Sequence, residues 1–283
     1  MKRGYWFLHT LLLLVLPVRW AATQSVTDPL PVISVKEDSI ARLFTRMESA
    51  AGDHEKRSLS SNILDMMTGL LSAPSSFNYP FPKLTRVGKI MSSDSSVRIF
   101  TWHLAYYDGT FDYFGLVQRK IGTADSVQVF VLNDISRTLV SPEDTVLRSG
   151  NWVGCLYYEI ATVTIGDTTC YTLIGYDFNT LLTSVKLVDI LYFDGSGDPV
   201  FGASVFRMDG VVKKRLLFEY SRQVVMVLKY DRESGMIVFD HLSPSMPEFK
   251  DMHQYYGPDF SYDGLRFESG QWVLVKDLDL RNR

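Results

Sequence analysis

Residues 200–240 read VFGASVFRMDGVVKKRLLFEYSRQVVMVLKYDRESGMIVFD, and this stretch carries the strongest signal for the fold. Asp209 and Gly210 form a dipeptide that accepts the positive φ angles of a two-residue hairpin turn. A second turn is expected at Ser221 and Arg222, and the polar run 231–235 makes a third. We therefore predict four antiparallel strands in one uninterrupted meander, over residues 200–207, 211–220, 224–230 and 236–240.

The turn at Asp209 and Gly210 also predicts a register for the first hairpin. If Met208 pairs with Val211, alternate side chains separate into a mostly polar face and a mostly apolar face. The further pairs expected from this register are Phe206 with Lys213, Ser204 with Arg215 and Gly202 with Leu217. The third strand is apolar on both faces, which is typical of an inner strand covered on both sides.

The composition favours a mainly β globular protein. The chain has 283 residues, of which 46% are hydrophobic and 13% are aromatic, and aromatic side chains favour pleated, half-buried surfaces. Further strands are predicted at 98–106, 113–121, 127–133, 152–165, 169–176, 184–193 and 271–278. The predicted fold class is mainly β, with antiparallel meander sheets arranged like a sandwich or an open barrel and a short helical N-terminal segment. An α+β arrangement is the alternative.

The region before the strands is predicted to be helical. Residues 27–35 contain two prolines and are expected to form an extended leader. Ser39 is expected to cap a helix whose buried stripe consists of Ile40, Leu43, Phe44 and Met47. A second helix is expected over residues 60–72, ending before Pro74. The predicted organisation is a signal peptide at 1–24, a helical segment at 25–75 and a β-rich domain at 76–283.

The N-terminus has the layout of a secretory signal peptide. Lys2 and Arg3 precede an apolar run over residues 5–18, and Ala21 and Ala22 follow it. The run is short for a membrane span, so we expect cleavage between residues 21 and 25, with an uncleaved N-terminal anchor as the alternative. The region has no Cys for a lipid anchor. We therefore predict a soluble periplasmic or cell-envelope protein that is not a lipoprotein and has no transmembrane segment in its mature chain.

Removal of the signal peptide makes the chain more acidic. It takes away Lys2, Arg3 and Arg19 and no acid, so the 29 basic residues become 26 against 32 acidic residues, a net charge of −6. Binding to a phosphate backbone requires a concentrated positive face. The charge therefore argues against a nucleic-acid partner.

Cys155 and Cys170 are predicted to be free, buried thiols. With a turn at Gly166 and Asp167, Cys170 lies opposite Val163, and Cys155 lies about 26 Å further along that strand at ~3.3 Å per residue. A disulfide requires Cα atoms within roughly 7 Å of each other. An apolar strand would also keep the Cys155 thiol unreactive.

No pattern in the chain predicts a cofactor or a metal site. Asp194, Ser196 and Asp198 begin like a calcium loop, but Pro199 occupies the position that requires Gly, so a tight turn is the better interpretation. The chain contains no phosphate-binding loop, dinucleotide fingerprint, nucleophile elbow or zinc-binding helix motif. No catalytic residue is identified by motif.

Four residues are candidates for a binding site. Asp240 and His241 resemble an acid and imidazole dyad, although neighbours on a strand point to opposite faces unless the strand ends between them. Tyr106 and Tyr107 belong to an aromatic group that would provide a stacking surface, as in carbohydrate-binding modules. Packing within strands and turns is the simpler interpretation of these aromatic side chains.

The C-terminal third of the chain resembles a known group of sequences. It contains MIVFDHLSP at 236–244, YGPDFSYDG at 256–264, GQWVLV at 270–275 and DLDLRN at 277–282. These stretches resemble uncharacterised exported proteins of Bacteroidota, and the likeness covers the β-rich region from about residue 83. The resemblance implies export and brings no activity or catalytic residues with it.

The sequence therefore favours a binding or structural role in the periplasm or cell envelope, with an envelope glycan, peptide or protein as the partner. The alternative is a hydrolase that acts on envelope glycan or peptide, with carboxylates such as Asp240 near a cleft. A pocket with two or more converging carboxylates of shifted pKa would favour the enzyme. A flat or aromatic groove would favour binding.

Overall fold

The computed structural model of the chain describes residues 29–122 and 126–279, so the predicted signal peptide at 1–24 lies outside the described residues. Among these residues, two α-helices come first, α1 (Pro29–Ser49) and α2 (Asp53–Leu71). The strands that follow are β1 (Gly88–Met91), β2 (Val97–Ala105), β3 (Phe111–Ile121), β4 (Ser126–Asn133), β5 (Leu147–Arg148), β6 (Leu156–Ile165), β7 (Thr168–Asp177), β8 (Thr183–Phe193), β9 (Pro199–Phe201), β10 (Phe206–Met208), β11 (Val211–Lys213), β12 (Leu216–Ser221), β13 (Leu228–Asp231), β14 (Met236–Pro244), β15 (Tyr256–Glu268) and β16 (Gln271–Val275). Single-turn 3₁₀ helices lie in the connections at Pro74–Ser76, Ser136–Thr138, Pro142–Asp144, Pro247–Phe249 and His253–Tyr255.

The described strands form three sheets. Sheet I has the order β1-β2-β3-β4, sheet II has the order β5-β9-β8-β7-β6, and β12 also pairs with β8 in sheet II. Sheet III has the order β11-β10-β16-β15-β14-β13. The pairing of β10 with β16 is parallel, and the other strand pairs in the described residues are antiparallel.

Three hydrophobic cores join these layers in succession. The first core joins the two helices to sheet I and includes Ile40, Ile63, Phe100 and Trp102. The second joins sheet I to sheet II and includes Ile99, Val117, Leu173 and Leu187. The third joins sheet II to sheet III and includes Val188, Leu216, Phe239 and Trp272. The fold is therefore mainly β with a helical N-terminal segment, as predicted, and its sheets are stacked as in a sandwich.

The predicted uninterrupted meander over residues 200–240 is wrong, although two of its hairpins are present. Strands β10 and β11 pair in the predicted register, with Phe206 opposite Lys213. Strands β13 and β14 pair across the predicted turn at 231–235. The predicted pairs of Ser204 with Arg215 and of Gly202 with Leu217 do not form, because β12 pairs with β8 of sheet II.

The reason for this difference lies at Gly202, where the chain leaves sheet II. Gly202 has φ +90°, a left-handed conformation that suits a residue without Cβ. Its N–H donates to the carbonyl of Ile190 at 2.8 Å, and the chain then passes from β9 in sheet II to β10 in sheet III. Turn chemistry predicts each hairpin, but it does not predict which sheet the hairpin joins.

Helix α1 begins at Pro29, so the predicted start at Ser39 and the extended leader are wrong for residues 29–35. Prolines 29 and 31 lie in the first helical turn, where a missing N–H and a fixed φ are tolerated. Ser39 lies inside the helix, where its Oγ donates to the carbonyl of Val35 at 3.1 Å. The predicted stripe is confirmed for Ile40, Phe44 and Met47, which are all buried, and Leu43 packs partly buried against the same core.

Helix α2 also begins earlier than predicted, at Asp53 rather than at about residue 60. Asp53 and Glu55 lie in its first turn, where acidic side chains interact favourably with the helix dipole. Neither helix in the described residues is long and apolar enough to cross a membrane. The division of the chain at residues 75 and 76 stays a prediction.

The other predicted strands are present, with ends shifted by a few residues. The turn at Gly166 and Asp167 places Val163 opposite Cys170, as predicted. Cys155 and Cys170 are both buried and free, which confirms the predicted thiols. Strands β1, β5 and β15 were not predicted, and β15 was missed because it contains residues such as Pro258 that are rare in strands.

Candidate functional site

One face of sheet II changes character along its strands. Ile174, Val188 and Leu216 lie side by side on β7, β8 and β12 and belong to the third core. Because side chains alternate along a strand, the next residues on this face are two positions further along. They form one row of Tyr176, Lys186 and Phe218 and a second row of Ser184 and Tyr220. At this end the apolar core gives way to a polar and aromatic surface.

An open cavity of about 450 Å³ lies on this surface, and we call it the tyrosine pocket. Tyr158 comes from β6, and residues 222–225 come from the connection between β12 and β13. The lining residues are Tyr158, Tyr176, Ser184, Lys186, Tyr220, Arg222, Val224 and Val225. The volume lies within the ~300–1,000 Å³ that is usual for small-molecule sites.

Hydrogen bonds and burial fix the tyrosine rings of the pocket. The Oη of Tyr158 donates to the carbonyl of Leu228 at 2.7 Å, and the hydroxyls of Tyr176 and Ser184 are 3.0 Å apart. Tyr220 is 3% exposed, and burial raises the pKa of its phenol to about 12. The pocket therefore presents three phenol rings, which come from β6, β7 and β12 of one sheet.

Lys186 brings a positive charge into the tyrosine pocket. Its Nζ lies 5.1 Å from the centroid of the Tyr158 ring, a cation–π arrangement, and the side chain is half-buried. Among the described residues, no hydrogen bond or ion pair to its ammonium group is found. Burial lowers the pKa of Lys186, and the charge of Asp240 offsets only part of this effect. A partly desolvated ammonium group that forms no ion pair within the described residues favours an anionic ligand.

A second cavity of about 560 Å³ adjoins the tyrosine pocket, and Val224 lines both. We call the two cavities together the groove. The second cavity is lined by residues 254–260 and 243–245 and by the connection after β12. Tyr255 lies in its wall, 40% exposed, with its ring stacked on Phe249 at a centroid distance of 4.1 Å.

A β-bulge between β14 and β15 borders the second cavity. Asp240 pairs with Tyr262 and Leu242 pairs with Pro258, so the single residue between them on β14 is opposed by residues 259–261 on β15. An excess of residues on one strand bends that strand and redirects its side chains. Bulges of this kind recur beside functional sites.

Asp259 holds the bulge together. Its carboxylate accepts the N–H of Ser261 at 3.1 Å and the hydroxyl of Ser261 at 2.7 Å, and it lies 2.8 Å from Nδ1 of His241. Partial burial raises the pKa of Asp259, but these hydrogen bonds outweigh it and lower the pKa to about 2. Phe260 follows at the apex of the bulge, with φ +71° and a side chain that is 94% exposed.

The structure gives Asp240 and His241 different partners. Asp240 is buried, and its Oδ2 accepts the N–H of Val227 at 2.6 Å. His241 is exposed and pairs with Asp259. Asp240 therefore supports strand pairing beside the tyrosine pocket, and His241 supports the bulge beside the second cavity.

Tyr106 and Tyr107 lie elsewhere, at the end of β2 close to α2. Tyr106 is buried, donates its hydroxyl to Asp112 and lies under Arg57, and burial raises its pKa to about 12. Tyr107 is 69% exposed, with Nζ of Lys56 4.2 Å from its ring centroid. Neither tyrosine lines the groove.

Another cavity, of about 450 Å³, lies beside β3 and β4. Its carboxylates already form hydrogen bonds or ion pairs with other groups of the protein. Asp112 pairs with Arg137 at 3.2 Å. Asp134 accepts the N–H groups of Ser136 at 2.8 Å and Gly154 at 3.1 Å. Within residues 29–122 and 126–279, no group of three or more His, Cys, Asp or Glu side chains is placed to hold a metal ion.

Comparisons of the chain with family models, with curated proteins and with solved structures give no match. The function of this protein is therefore inferred from the geometry of the groove.

The tyrosine pocket was not predicted from the sequence, although β8 contained a signal for it. This strand reads TSVKLVDILYF, and Lys186 and Asp189 are its only charged residues. A charged residue in a strand that is apolar on both faces needs a partner or a functional reason. Asp189 has a buried partner in Arg215, whereas Lys186 faces the pocket.

Proposed function

We propose that this protein is an exported binding protein of the cell envelope and that the tyrosine pocket holds an acidic group of a glycan. Export is supported by the apolar run at residues 5–18 and by the resemblance to exported proteins of Bacteroidota. The observation that carries the proposal is the half-buried ammonium group of Lys186 among three phenol rings.

The charge of the pocket supports an acidic ligand. Lys186 and Arg222 both line it, and no carboxylate from the described part of the chain does. Arg222 is exposed and is held in place by a hydrogen bond from Nη1 to the carbonyl of Thr180 at 2.8 Å. In a protein with more acidic than basic residues, a local pair of cations attracts an anion and orients it.

The pocket chemistry and the strand beside it favour a glycan over a peptide. Extended peptides commonly bind by pairing with a free strand edge. The outer edge of β13 is already occupied, because Leu228 O accepts from Tyr158 and Tyr230 N–H donates to Glu159 at 2.7 Å. Phenol rings offer flat faces to the C–H groups of a sugar and hydroxyls to its polar edge.

Binding accounts for the groove better than hydrolysis of glycan or peptide. Hydrolysis by paired carboxylates requires two acids that face the scissile bond. Asp240 uses its carboxylate on the N–H of Val227, and Asp259 uses its carboxylate on Ser261 and His241. The aromatic and cationic lining is suited to holding a ligand.

A thermal-shift experiment tests this proposal. The exported chain is heated alone, with oligosaccharides that contain uronic acids, and with neutral oligosaccharides of the same length. A ligand that binds only the native state raises the Tm, and a rise is expected for the acidic sugars alone. Equal shifts with neutral sugars, or a shift with acidic peptides and none with sugars, would contradict the proposal.

A Tyr176→Phe variant tests whether the rise in Tm comes from binding in the tyrosine pocket. It keeps the ring and removes the hydroxyl that contacts Ser184, so the fold is retained and the shift is reduced. Tyr107→Phe is the matched control, because Tyr107 is an exposed tyrosine outside the groove. A shift that is unchanged in Tyr176→Phe would place binding elsewhere.

A further inference from the structure

Phe260 combines two uncommon properties. Its φ of +71° lies in the left-handed region, which a bulky non-glycine residue rarely adopts. Its side chain is 94% exposed, although burial of a Phe ring is favourable. Residues held in such conformations cluster at ligand clamps and similar sites.

The bulge holds Phe260 in this position through polar contacts on both sides of it. Asp259 accepts two hydrogen bonds from Ser261, so the residues before and after Phe260 are linked across it. His241 fastens Asp259 to β14 at 2.8 Å. The ring is therefore presented by a fixed element of sheet III.

Phe260 and Tyr255 both line the second cavity of the groove. Tyr255 is supported from behind by Phe249, with an angle of 21° between the ring planes. The pair offers aromatic faces at the edge of a cavity, which is the chemistry that stacks against the apolar face of a sugar ring. Val224 connects this cavity to the tyrosine pocket.

We propose that Phe260 and Tyr255 form a second sugar subsite, so that the ligand is a chain that runs from Lys186 past Val224 to Phe260. This inference rests on the proposed function, because Lys186 and Arg222 supply the positive charge that identifies the occupant as acidic. The recognised ligand is then an acidic oligosaccharide of several sugars. Its acidic group is held in the tyrosine pocket, and a further sugar stacks on Phe260.

Titration calorimetry with uronic-acid oligosaccharides of two lengths tests the second subsite. The disaccharide is chosen to occupy the tyrosine pocket alone, and the hexasaccharide is chosen to extend from the tyrosine pocket into the second cavity. We expect the wild-type chain to bind the hexasaccharide about tenfold more tightly, as one added stacking contact allows. Phe260→Ala is expected to remove this gain and to leave disaccharide binding unchanged.

A second variant separates binding from folding. Phe260→Gly removes the ring and suits the positive φ, so it is expected to fold at least as well as the wild-type chain. It is also expected to lose the gain with chain length. Tyr107→Ala is the control, because it removes an exposed aromatic ring outside the groove and is expected to change neither affinity.

The outcomes separate this inference from the proposed function. Binding of the disaccharide with no gain for the hexasaccharide, or with a gain that survives in Phe260→Gly, overturns the second subsite and leaves the tyrosine pocket in place. An equal loss for both lengths in Phe260→Gly also overturns it, because the ring then acts on the first pocket. No binding of either length overturns both proposals.

Discussion

Arg215 and Lys186 are two cations in opposite electrostatic situations, one beside sheet II and one on it. Arg215 precedes β12 and is completely buried, and its Nε donates to Asp189, which is also completely buried, at 2.6 Å. Lys186 lies three residues before Asp189 on β8 and faces the open pocket. A buried charge requires a partner, whereas a half-exposed charge without one remains available to a ligand. The comparison separates a cation that belongs to the fold from one that is free for function.

Arg215 and Asp189 also form hydrogen bonds with neighbouring backbone groups. Nη1 of Arg215 donates to the carbonyl of Pro142 at 2.5 Å, and Asp189 Oδ1 accepts the N–H of Ile190 at 2.8 Å. Burial lowers the pKa of Arg215, but the charge of Asp189 outweighs this effect and raises it, so the guanidinium stays charged. The pair ties the connection between β11 and β12 to β8.

The largest expected effect comes from Arg215→Leu. This change leaves the carboxylate of Asp189 buried without its partner, which destabilises the protein by about 3–5 kcal/mol. Urea unfolding measures the change in free energy. The double variant Arg215→Leu/Asp189→Leu is the control, and it should recover part of the loss because no unpaired charge remains. A loss below about 1 kcal/mol in the single variant would show that the pair does not support the fold.

Lys186→Met sharpens the comparison from the other side. It replaces an ammonium group that forms no ion pair within the described residues by an uncharged side chain of similar length, so the free energy of unfolding is expected to change by less than about 1 kcal/mol. Affinity for an acidic oligosaccharide is expected to fall by roughly 1.5–3 kcal/mol, as for a hydrogen bond to a charged group. Lys229→Met, an exposed lysine on β13, is the control and should bind as the wild type does. A large loss of stability with unchanged affinity would show that Lys186 supports the fold and does not bind the ligand.

The bulge is expected to make a smaller, pH-dependent contribution to the free energy of unfolding. The pKa of Asp259 is lowered to about 2, so its stabilisation is present above the unfolded pKa of about 3.9 and is lost as the pH falls towards 2. Because Asp259 is partly exposed, we expect about 1 kcal/mol. Urea unfolding of the wild-type chain and of Asp259→Asn at pH 7, 4 and 2.5 measures it. The free energies of unfolding of the two chains should differ at pH 7 and converge at pH 2.5. A difference that stays constant with pH would show that the charge of Asp259 does not stabilise the bulge.

Alkylation of the two thiols, which is expected to be absent in the native protein, tests whether the cores between the stacked sheets are closed. Burial raises the pKa of Cys155 and Cys170, so neither is expected to react with iodoacetamide in the native protein. Unfolding without a reductant should expose both, and the intact mass should then show two alkyl groups. Labelling of native Cys155 would place an opening in the second core, and no labelling after unfolding would indicate a disulfide.

Local patterns in the sequence predicted the local parts of the fold. Asp209 and Gly210 predicted the turn and register of one hairpin, and Gly166 and Asp167 predicted the turn that places Val163 opposite Cys170. These features depend on residues that are neighbours in the chain. The partner of β12 could not be predicted in this way, because it depends on the buried contact between Arg215 and Asp189 and on the exit of the chain at Gly202.

In the candidate site, too, the sequence predicted features set by neighbouring residues and missed those set by residues far apart in the chain. The sequence singled out Asp240 and His241 and indicated that they point to opposite faces of a strand, but it could not predict the partner of either side chain. The bulge that gives His241 its partner Asp259 lies on β15, and the proline and glycines of β15 prevented its prediction as a strand. The tyrosines of the pocket come from three separate strands, so no local spacing could have grouped Tyr158, Tyr176 and Tyr220.

The most direct test of the central claim is the pKa of Lys186 with and without ligand. The titration is followed by NMR of 13C-labelled lysine side chains, and Lys186→Met identifies the resonance. In the free protein, burial lowers this pKa, and a bound carboxylate would bring a further negative charge to the ammonium group. We predict that a saturating acidic oligosaccharide raises the pKa of Lys186 and leaves that of Lys229 unchanged. A Lys186 pKa that does not change when the ligand binds would contradict the assignment of the tyrosine pocket as the binding site.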